Sequence, residues 1–260
     1  MGARRDPFGY EPRFHRQMLP VLEFFYRRYW RVRADGVANV PARGPVLVVG
    51  NHSGGIPIDA AMVGAAIEFD HPRARVLRIL YDRFVAGMPV IPEAYNRFGA
   101  VVASYANAEK LLRRRQAVGV FPEGVAGVAK GFASRYQLQR FHTGFIRLSL
   151  TLRVPIVPVA VVGAEEAYPV IGKWKPTGAL KGLFNVPYIP VTPFFPLLGV
   201  IGMIPLPTKW YIRFAEPLHL YRECDGHAAD RHTVTALSEQ VRRQIQSMVH
   251  DLLAERESLF

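Results

Sequence analysis

The sequence predicts an α/β fold: a mostly parallel central sheet flanked by helices, with an amphipathic helical segment at the N-terminus. Three observations predict it. Short β-branched runs alternate with longer stretches of helical period, the pattern of a parallel sheet covered on both faces. Half of the 260 residues are hydrophobic, enough for one sizeable core and too many for a disordered chain. Polar residues also gather just after three of the predicted strands, where an open parallel sheet carries its binding crevice.

Taken in order, residues 13–33 (RFHRQMLPVLEFFYRRYWRVR) place Phe14, Met18, Leu22, Phe25 and Tyr29 at helical spacing, with Arg13, Arg16, Arg27, Arg28 and Arg31 supplying positive charge. Pro20 predicts a kink or two short helices. Such a helix either packs on its own domain or lies in the headgroup region of an anionic membrane. Val46–Val49 is the first predicted strand, and a helix follows from Ala60 to Ile67. Arg75–Leu80 is the second strand, and Val101-Val102 begin a third. Ala106–Gln116 is helical, Ala117–Phe121 a strand, Gly144–Leu152 a helix, and Pro155–Val162 a strand. The amphipathic tail from Val234 to Leu253 closes the chain as a helix. Residues 1–38 are read as a membrane-associating segment and 39–260 as one domain.

Residues 184–207 (FNVPYIPVTPFFPLLGVIGMIPLP) stand apart. They carry no charge and six prolines, so a continuous spanning helix is not expected although the length would suffice. Three readings stay open: a surface resting on a membrane, the roof of an acyl-chain tunnel, or an ordinary buried excursion.

The net charge of +12 asks for an anionic partner. No helix-turn-helix, zinc-finger or aromatic stacking signature accompanies it, so nucleic acid is not expected. An anionic membrane surface is. The N-terminus (MGARRD) lacks a secretory apolar core, and Asp6 departs from the myristoylation pattern. The single cysteine, Cys224, forms no internal disulfide and lies in a polar stretch, away from any reactive setting.

The candidate chemistry sits at three strand ends. His52 and Asp59 follow the first strand, Pro122-Glu123-Gly124 follow AVGVF, and Gly163 with Glu165-Glu166 follow PIVPVAVV. An imidazole whose second nitrogen is held by a carboxylate can take a proton from a hydroxyl, and Asp59 is the candidate partner. Equally, Asp59 could N-cap the helix after it while His52 caps the turn. Amides near Gly54-Gly55 or Gly124 could face an oxyanion, and Lys130 could meet an anionic group. Ser53 is not read as a nucleophile, because GNHSG is not the nucleophile elbow. His52, Asp59 and His142 fit no metal-ligand spacing, so no metal is expected. The run GVAGVAKGF lacks the ending of a phosphate-binding loop.

Asn51-His52 with Asp59, Phe121-Pro122-Glu123-Gly124, and Val154-Pro155-Ile156-Val157-Pro158-Val159, in that order, resemble the blocks of the glycerolipid acyltransferases, the PlsC-like lysophospholipid acyltransferase superfamily. The stretch 140–150 (RFHTGFIRLSL) with VPIVPVAVVGAEEAYP is similar to its diacylglycerol-acyltransferase-like and transmembrane-protein-68-like branch. The resemblance covers about residues 40 to 220 and implies a PlsC-like fold. It further implies acyl transfer to a lipid hydroxyl from acyl-CoA or acyl-carrier protein, with no resident cofactor and no covalent acyl-enzyme. His52 would be the general base and Asp59 its orienting partner. Asn51, Ser53, Gly54, Gly55, Phe121, Pro122, Glu123, Gly124, Lys130 and Arg140 would surround the substrates. It would act at the cytoplasmic face of a membrane as a peripheral or monotopic protein. Hydrolysis of a lipid ester or thioester by the same histidine is the alternative activity, and a non-catalytic lipid binder of the same fold the alternative class.

Two departures bear on this. The family's usual spacing puts four residues between histidine and aspartate, whereas six stand between His52 and Asp59. The Thr-Arg-Ser that follows Pro-Glu-Gly in lysophosphatidate enzymes is here Val125-Ala126-Gly127, and Tyr105 stands near the expected second-block arginine. Lys130, Arg135 or Arg140 could substitute for those cations. Their loss points to a less charged acceptor: a glyceride, a glycolipid or a long-chain alcohol.

Overall fold

Every residue of the strand Val46–Gly50 is buried, and its side chains alternate between two cores: Leu47 and Val49 enter one, Val46 and Val48 the other. The rest of the molecule is arranged around this strand. The structure is a computed structural model that describes residues 5–53, 58–88, 90–174, 188–222 and 230–260. Met1, Gly2, Gly54, Gly55, Cys224 and the first four residues of the proline-rich excursion lie outside the described residues.

In chain order the strands are β1 (Arg33–Asp35), β2 (Val46–Gly50), β3 (Leu77–Tyr81), β4 (Val101–Val102), β5 (Ala117–Val120), β6 (Ile156–Val162), β7 (Gly172–Trp174), β8 (Ile189–Val191) and β9 (Tyr211–Phe214). The helices are α1 (Pro12–Glu23), α2 (Ile58–Phe69), α3 (Arg83–Ala86), α4 (Ile91–Phe98), α5 (Tyr105–Arg113), α6 (Val125–Val128), α7 (Gly144–Leu152), α8 (Ala164–Ala167) and α9 (Arg231–Glu255).

Seven strands form one sheet in the order β1-β9-β6-β2-β5-β3-β4. The run from β6 to β4 is parallel throughout. β9 pairs antiparallel with β6, and β1 lies parallel to β9 at the edge. Helices α5, α7 and α9 cover one face of the sheet, while α2 and the aromatic turn after α1 cover the other. In α9 the buried residues Val234, Leu237, Val241, Ile245, Met248 and Leu252 recur at helical spacing, which makes a stripe against the sheet. Its N-terminus is capped by Asp230, whose side chain accepts from the Thr233 amide at 2.7 Å.

Several boundaries differ from the sequence reading. α1 runs through Pro20 without ending and passes into a π-helical turn over Phe24–Tyr29. Pro20 is exposed, so its ring meets solvent and only one ladder bond is missing. β3 starts at Leu77 rather than Arg75, because the Arg75 guanidinium turns to the carbonyls of Pro41 and Gly44. α5 ends three residues before Gln116, where Arg115 takes φ +60°. Residues 188–207 are largely at the surface, and begin with β8, which pairs antiparallel with β7.

Candidate active site

β2, β5 and β6 run side by side in parallel, with Val49 level with Val120 and Gly50 level with Val159. Their carboxyl ends therefore open on one edge, and three loops start there together. Asn51, the first residue past β2, is fully buried. Its side chain donates to the Val161 carbonyl at 3.0 Å and accepts from the Val161 amide at 2.8 Å. Both ends of the amide are thus spent fastening the β2 loop to β6, and Asn51 sets the exit direction of the chain rather than facing a ligand.

His52 comes next. Its Nδ1 lies 2.8 Å from Asp59 Oδ2. That oxygen also accepts the Ser53 amide at 2.8 Å, and Oδ1 accepts the Ala60 amide at 2.8 Å. Asp59 has no exposure and sits inside the first turn of α2, which begins at Ile58, so it is a first-turn residue and not the cap. A carboxylate in that position also gains from the helix dipole. With the carboxylate accepting, Nδ1 carries the proton and Nε2 is the basic nitrogen. Among the described residues Nε2 has no hydrogen-bond partner. The His52 ring rests against Phe121, with centroids 5.0 Å apart.

The backbone of His52 is held from a second strand. Its N–H donates to Glu123 Oε1 at 2.7 Å, while Glu123 Oε2 accepts from the Gln139 amide at 2.6 Å. The buried Lys130 ammonium stands 3.4 Å from Glu123 and 3.1 Å from Glu165, the latter in α8 beyond β6. Burial pushes the Glu165 carboxyl up to about 7, against the pull of Lys130, and the charge of Glu123 pushes the same way. Glu165 Oε2 also accepts the Tyr136 amide at 2.9 Å. The Tyr136 hydroxyl bonds Glu166 and accepts from the Gly163 amide at 3.1 Å. Arg256, from the end of α9, reaches Glu166 at 2.8 Å. Burial and the neighbouring Glu166 push the Tyr136 phenol well above its ordinary value. The three strand-end loops are therefore one connected polar unit.

The other sequence candidates fall in different places. Lys130, expected to meet an anionic group, is instead turned inward by two carboxylates. The Gly124 amide, offered to an oxyanion, donates to the Phe121 carbonyl at 3.0 Å and closes a turn. The Pro122 carbonyl accepts the His142 amide at 2.9 Å. Ser53 Oγ is buried and has no hydrogen-bond partner among the described residues. Arg140 is exposed on the stretch between Gln139 and His142, beside the Pro-Glu-Gly turn. Arg135 lies over the Phe132 ring at 4.5 Å.

Sequence reasoning missed Gly127. A Cβ there would come within 2.7 Å of Glu123 Cβ and 2.9 Å of His52 Cβ, so the close approach of α6 requires glycine. Its only signal was the glycine-rich composition of 124–131. Tyr95 on α4 was missed too. It packs edge-on to Tyr81, and burial together with the charge of Asp59 pushes its phenol up. A cleft of about 640 Å3 lies between Arg135–Gln137, Glu166 and the C-terminal stretch, and touches none of the His52 loop. Among the described residues no group of three or more His, Cys, Asp or Glu could hold a metal ion, and no helix is long and apolar enough to cross a membrane.

Comparison with known proteins places this edge in context. The family described as Acyltransferase matches residues 31–162, which include His52, Asp59 and Glu123. An uncharacterized protein of Mycobacterium leprae is 41% identical over 257 residues, covering 98% of this chain and 69% of that protein. The human protein called DGAT1/2-independent enzyme synthesizing storage lipids is 26% identical over 162 residues, 62% of this chain and 49% of that one. Among solved structures, the 1-acyl-sn-glycerophosphate (LPA) acyltransferase PlsC of Thermotoga maritima superposes with a TM-score of 0.59 at 17% identity, over 94% of this chain and 83% of that one. At that identity the likeness is one of fold.

Proposed function

The chain belongs to the Acyltransferase family, and from that premise we propose that His52 is the general base of acyl transfer from an acyl thioester, acyl-CoA or acyl-carrier protein, to the hydroxyl of a lipid. The observation that carries this reading is the 2.8 Å contact between His52 Nδ1 and the buried Asp59 carboxylate. In the proposed step His52 Nε2 takes the hydroxyl proton as the oxygen attacks the thioester carbonyl. Asp59 stabilises the imidazolium that forms. The tetrahedral intermediate collapses, the carbon–sulfur bond breaks, and the thiolate recovers the proton from His52. No acyl group is transferred to the enzyme. Glu123 is a positioning residue here, because it acts through the His52 amide.

The acceptor follows from charge. Lys130, a candidate phosphate contact, is committed to two carboxylates, and no other buried cation contacts the His52 turn among the described residues. We infer an acceptor without a phosphate, such as a glyceride, a glycolipid or a long-chain alcohol. The name of the human relative, which refers to storage lipids, supports this direction. The basic surface suits the phosphates of coenzyme A and an anionic membrane. We place the protein at the cytoplasmic membrane face.

The test is His52→Ala in purified protein, given a panel of acyl-CoA donors and mixed lipid acceptors, with products identified by mass spectrometry. Loss of roughly a thousandfold or more in kcat with an unchanged unfolding curve is expected. Near-parental turnover would overturn the base assignment. Free fatty acid as the sole product of the parent would make the protein a hydrolase. Preference for lysophosphatidate over monoacylglycerol would overturn the acceptor inference alone.

A further inference from the structure

Residues 188–208 contain no charged side chain. Within them Phe194, Leu197, Leu198, Ile201, Met203 and Ile204 stand exposed, Leu197 by 83% and Ile201 by 67%. Six large apolar groups, on average more than half exposed, make a patch on the order of 500 Å2, at the upper end for a monomeric soluble protein. The exposure excludes the tunnel-roof and buried readings for these six side chains.

The patch is a built surface. Thr192 anchors it: its amide donates to the Phe195 carbonyl at 2.9 Å, and its hydroxyl accepts the Phe195 amide at 2.9 Å. The Leu198 amide reaches the Phe194 carbonyl at 2.7 Å, and the Ile204 amide the Ile201 carbonyl at 3.1 Å. Backbone groups satisfied this way can enter a medium that offers no hydrogen bonds. The apolar surface continues onto the N-terminal helix. Tyr29 donates to the Pro205 carbonyl at 2.6 Å and Trp30 to the Leu206 carbonyl at 3.1 Å, and the half-exposed Phe24 packs beside Tyr29.

Its base is tied to the candidate active site. The Leu206 amide donates to the Ala167 carbonyl at 2.6 Å and the Thr208 hydroxyl to the Gly163 carbonyl at 2.9 Å. That turn holds Glu165, which leads through Lys130 and Glu123 to the His52 amide.

We propose that the tip formed by Phe194–Ile204 inserts among the acyl chains of an anionic bilayer and sets the sheet edge bearing His52 against the membrane. Charge selects this occupant. Arg28 and Arg31 flank Tyr29 at the rim, both exposed, and Arg13 and Arg16 extend the basic surface along the same helix. A second copy would bring one positive rim against another, whereas anionic headgroups meet the rim while the tip meets hydrocarbon. The proposal rests on the reading that the acceptor is a lipid and deepens it by naming how the enzyme reaches it.

The experiment uses the full chain and sedimentation with sucrose-loaded phosphatidylglycerol–phosphatidylcholine vesicles, with neither donor nor acceptor present. The double variant Leu197→Asp/Ile201→Asp should lose more than about tenfold in vesicle partitioning with an unchanged unfolding temperature, since both side chains are exposed. It should keep its turnover of a water-soluble short-chain donor and acceptor. In Leu197→Trp, brominated acyl chains should quench fluorescence beyond the quenching seen in the parent. Unchanged partitioning of the double variant, no added quenching, or a dimer in solution that the double variant dissolves would each overturn the proposal. Because binding is read without catalysis, vesicle binding without acyl transfer would refute the functional reading and leave this one standing.

Discussion

Replacing Lys130 with methionine tests whether the three loops behave as one electrostatic unit. The substitution keeps an unbranched side chain only one atom shorter and removes the only ammonium within ion-pair distance of Glu123 and Glu165 among the described residues. Removing one partner from a buried pair costs on the order of 3–5 kcal/mol when the remaining charge cannot escape. Here it can escape, because Glu165 is already pushed up to about 7 and loses its principal opposing influence. The sign follows from proton counting. A carboxyl with a raised folded value holds its proton in the native state after the unfolded chain has released it, so stability falls as pH rises between the two values. In the parent that fall runs from about 4.5 to about 7 and then levels. In K130M the folded value moves higher, so the fall continues above pH 7 by up to about 1.4 kcal/mol per pH unit. Between pH 6 and pH 8.5 the gap between variant and parent should widen by roughly 2 kcal/mol. That corresponds to an extra loss of about 4–8 °C in Tm for a chain near this size. Urea or thermal unfolding of both proteins across that range reads it directly, and K130M/E165Q, which lacks the titrating carboxyl, should lose most of the added slope. Unfolding curves that stay parallel from pH 6 to 8.5 would refute the coupling.

Further expectations follow from single contacts. Asp59→Asn should lower kcat by about 10²–10⁴ while the protein stays folded, because an amide beside Nδ1 no longer fixes the tautomer; an unaffected kcat in steady-state assay would retire Asp59 from the mechanism. Gly127→Ala puts a methyl 2.7 Å from Glu123 Cβ and 2.9 Å from His52 Cβ, so it should cost about 1–3 kcal/mol in denaturant unfolding and displace the base enough to reduce turnover. Asn51→Ala strands the buried Val161 amide and carbonyl and should cost about 2–4 kcal/mol, checked by the urea midpoint.

What could be read from the sequence was what local pattern encodes. The all-buried β2 and β6 are β-branched runs, α7 matches its predicted limits, and α9 announces itself by its spacing. Missed elements carried weak local signals. β9 has four residues and follows an unusually proline-rich stretch, and α3 and α4 are short segments set off by Gly87, Pro92 and Gly99. At the site, the arrival of three loops at one edge followed from strand polarity alone. The pairing within it did not. Lys130 meets Glu165, and Asn51 meets Val161 across 110 positions, with no periodicity to link them. Lysine in a glycine-rich loop reads as a free cation until the fold supplies its partners.

The six-residue interval before Asp59 can be weighed in the same physical terms. His52 is placed by the end of β2, by the Asn51 clasp on β6 and by Glu123 on its amide. Asp59 is placed by the first turn of α2, whose Ala60, Met62, Val63, Ala65, Ala66 and Ile67 are all buried against the sheet. Neither position depends on the length of the chain between them. Two extra residues in a short connection add well under about 1 kcal/mol of closure entropy. The packing of α2 gains far more, since burying a single large apolar side chain is worth about 1.5–3 kcal/mol. The helix therefore sets the distance and the loop accommodates it, which is why the 2.8 Å contact forms at a spacing unlike the family's. Under the proposed mechanism the two extra residues therefore leave the His52–Asp59 geometry unchanged, and Asp59 keeps its orienting part despite the longer interval.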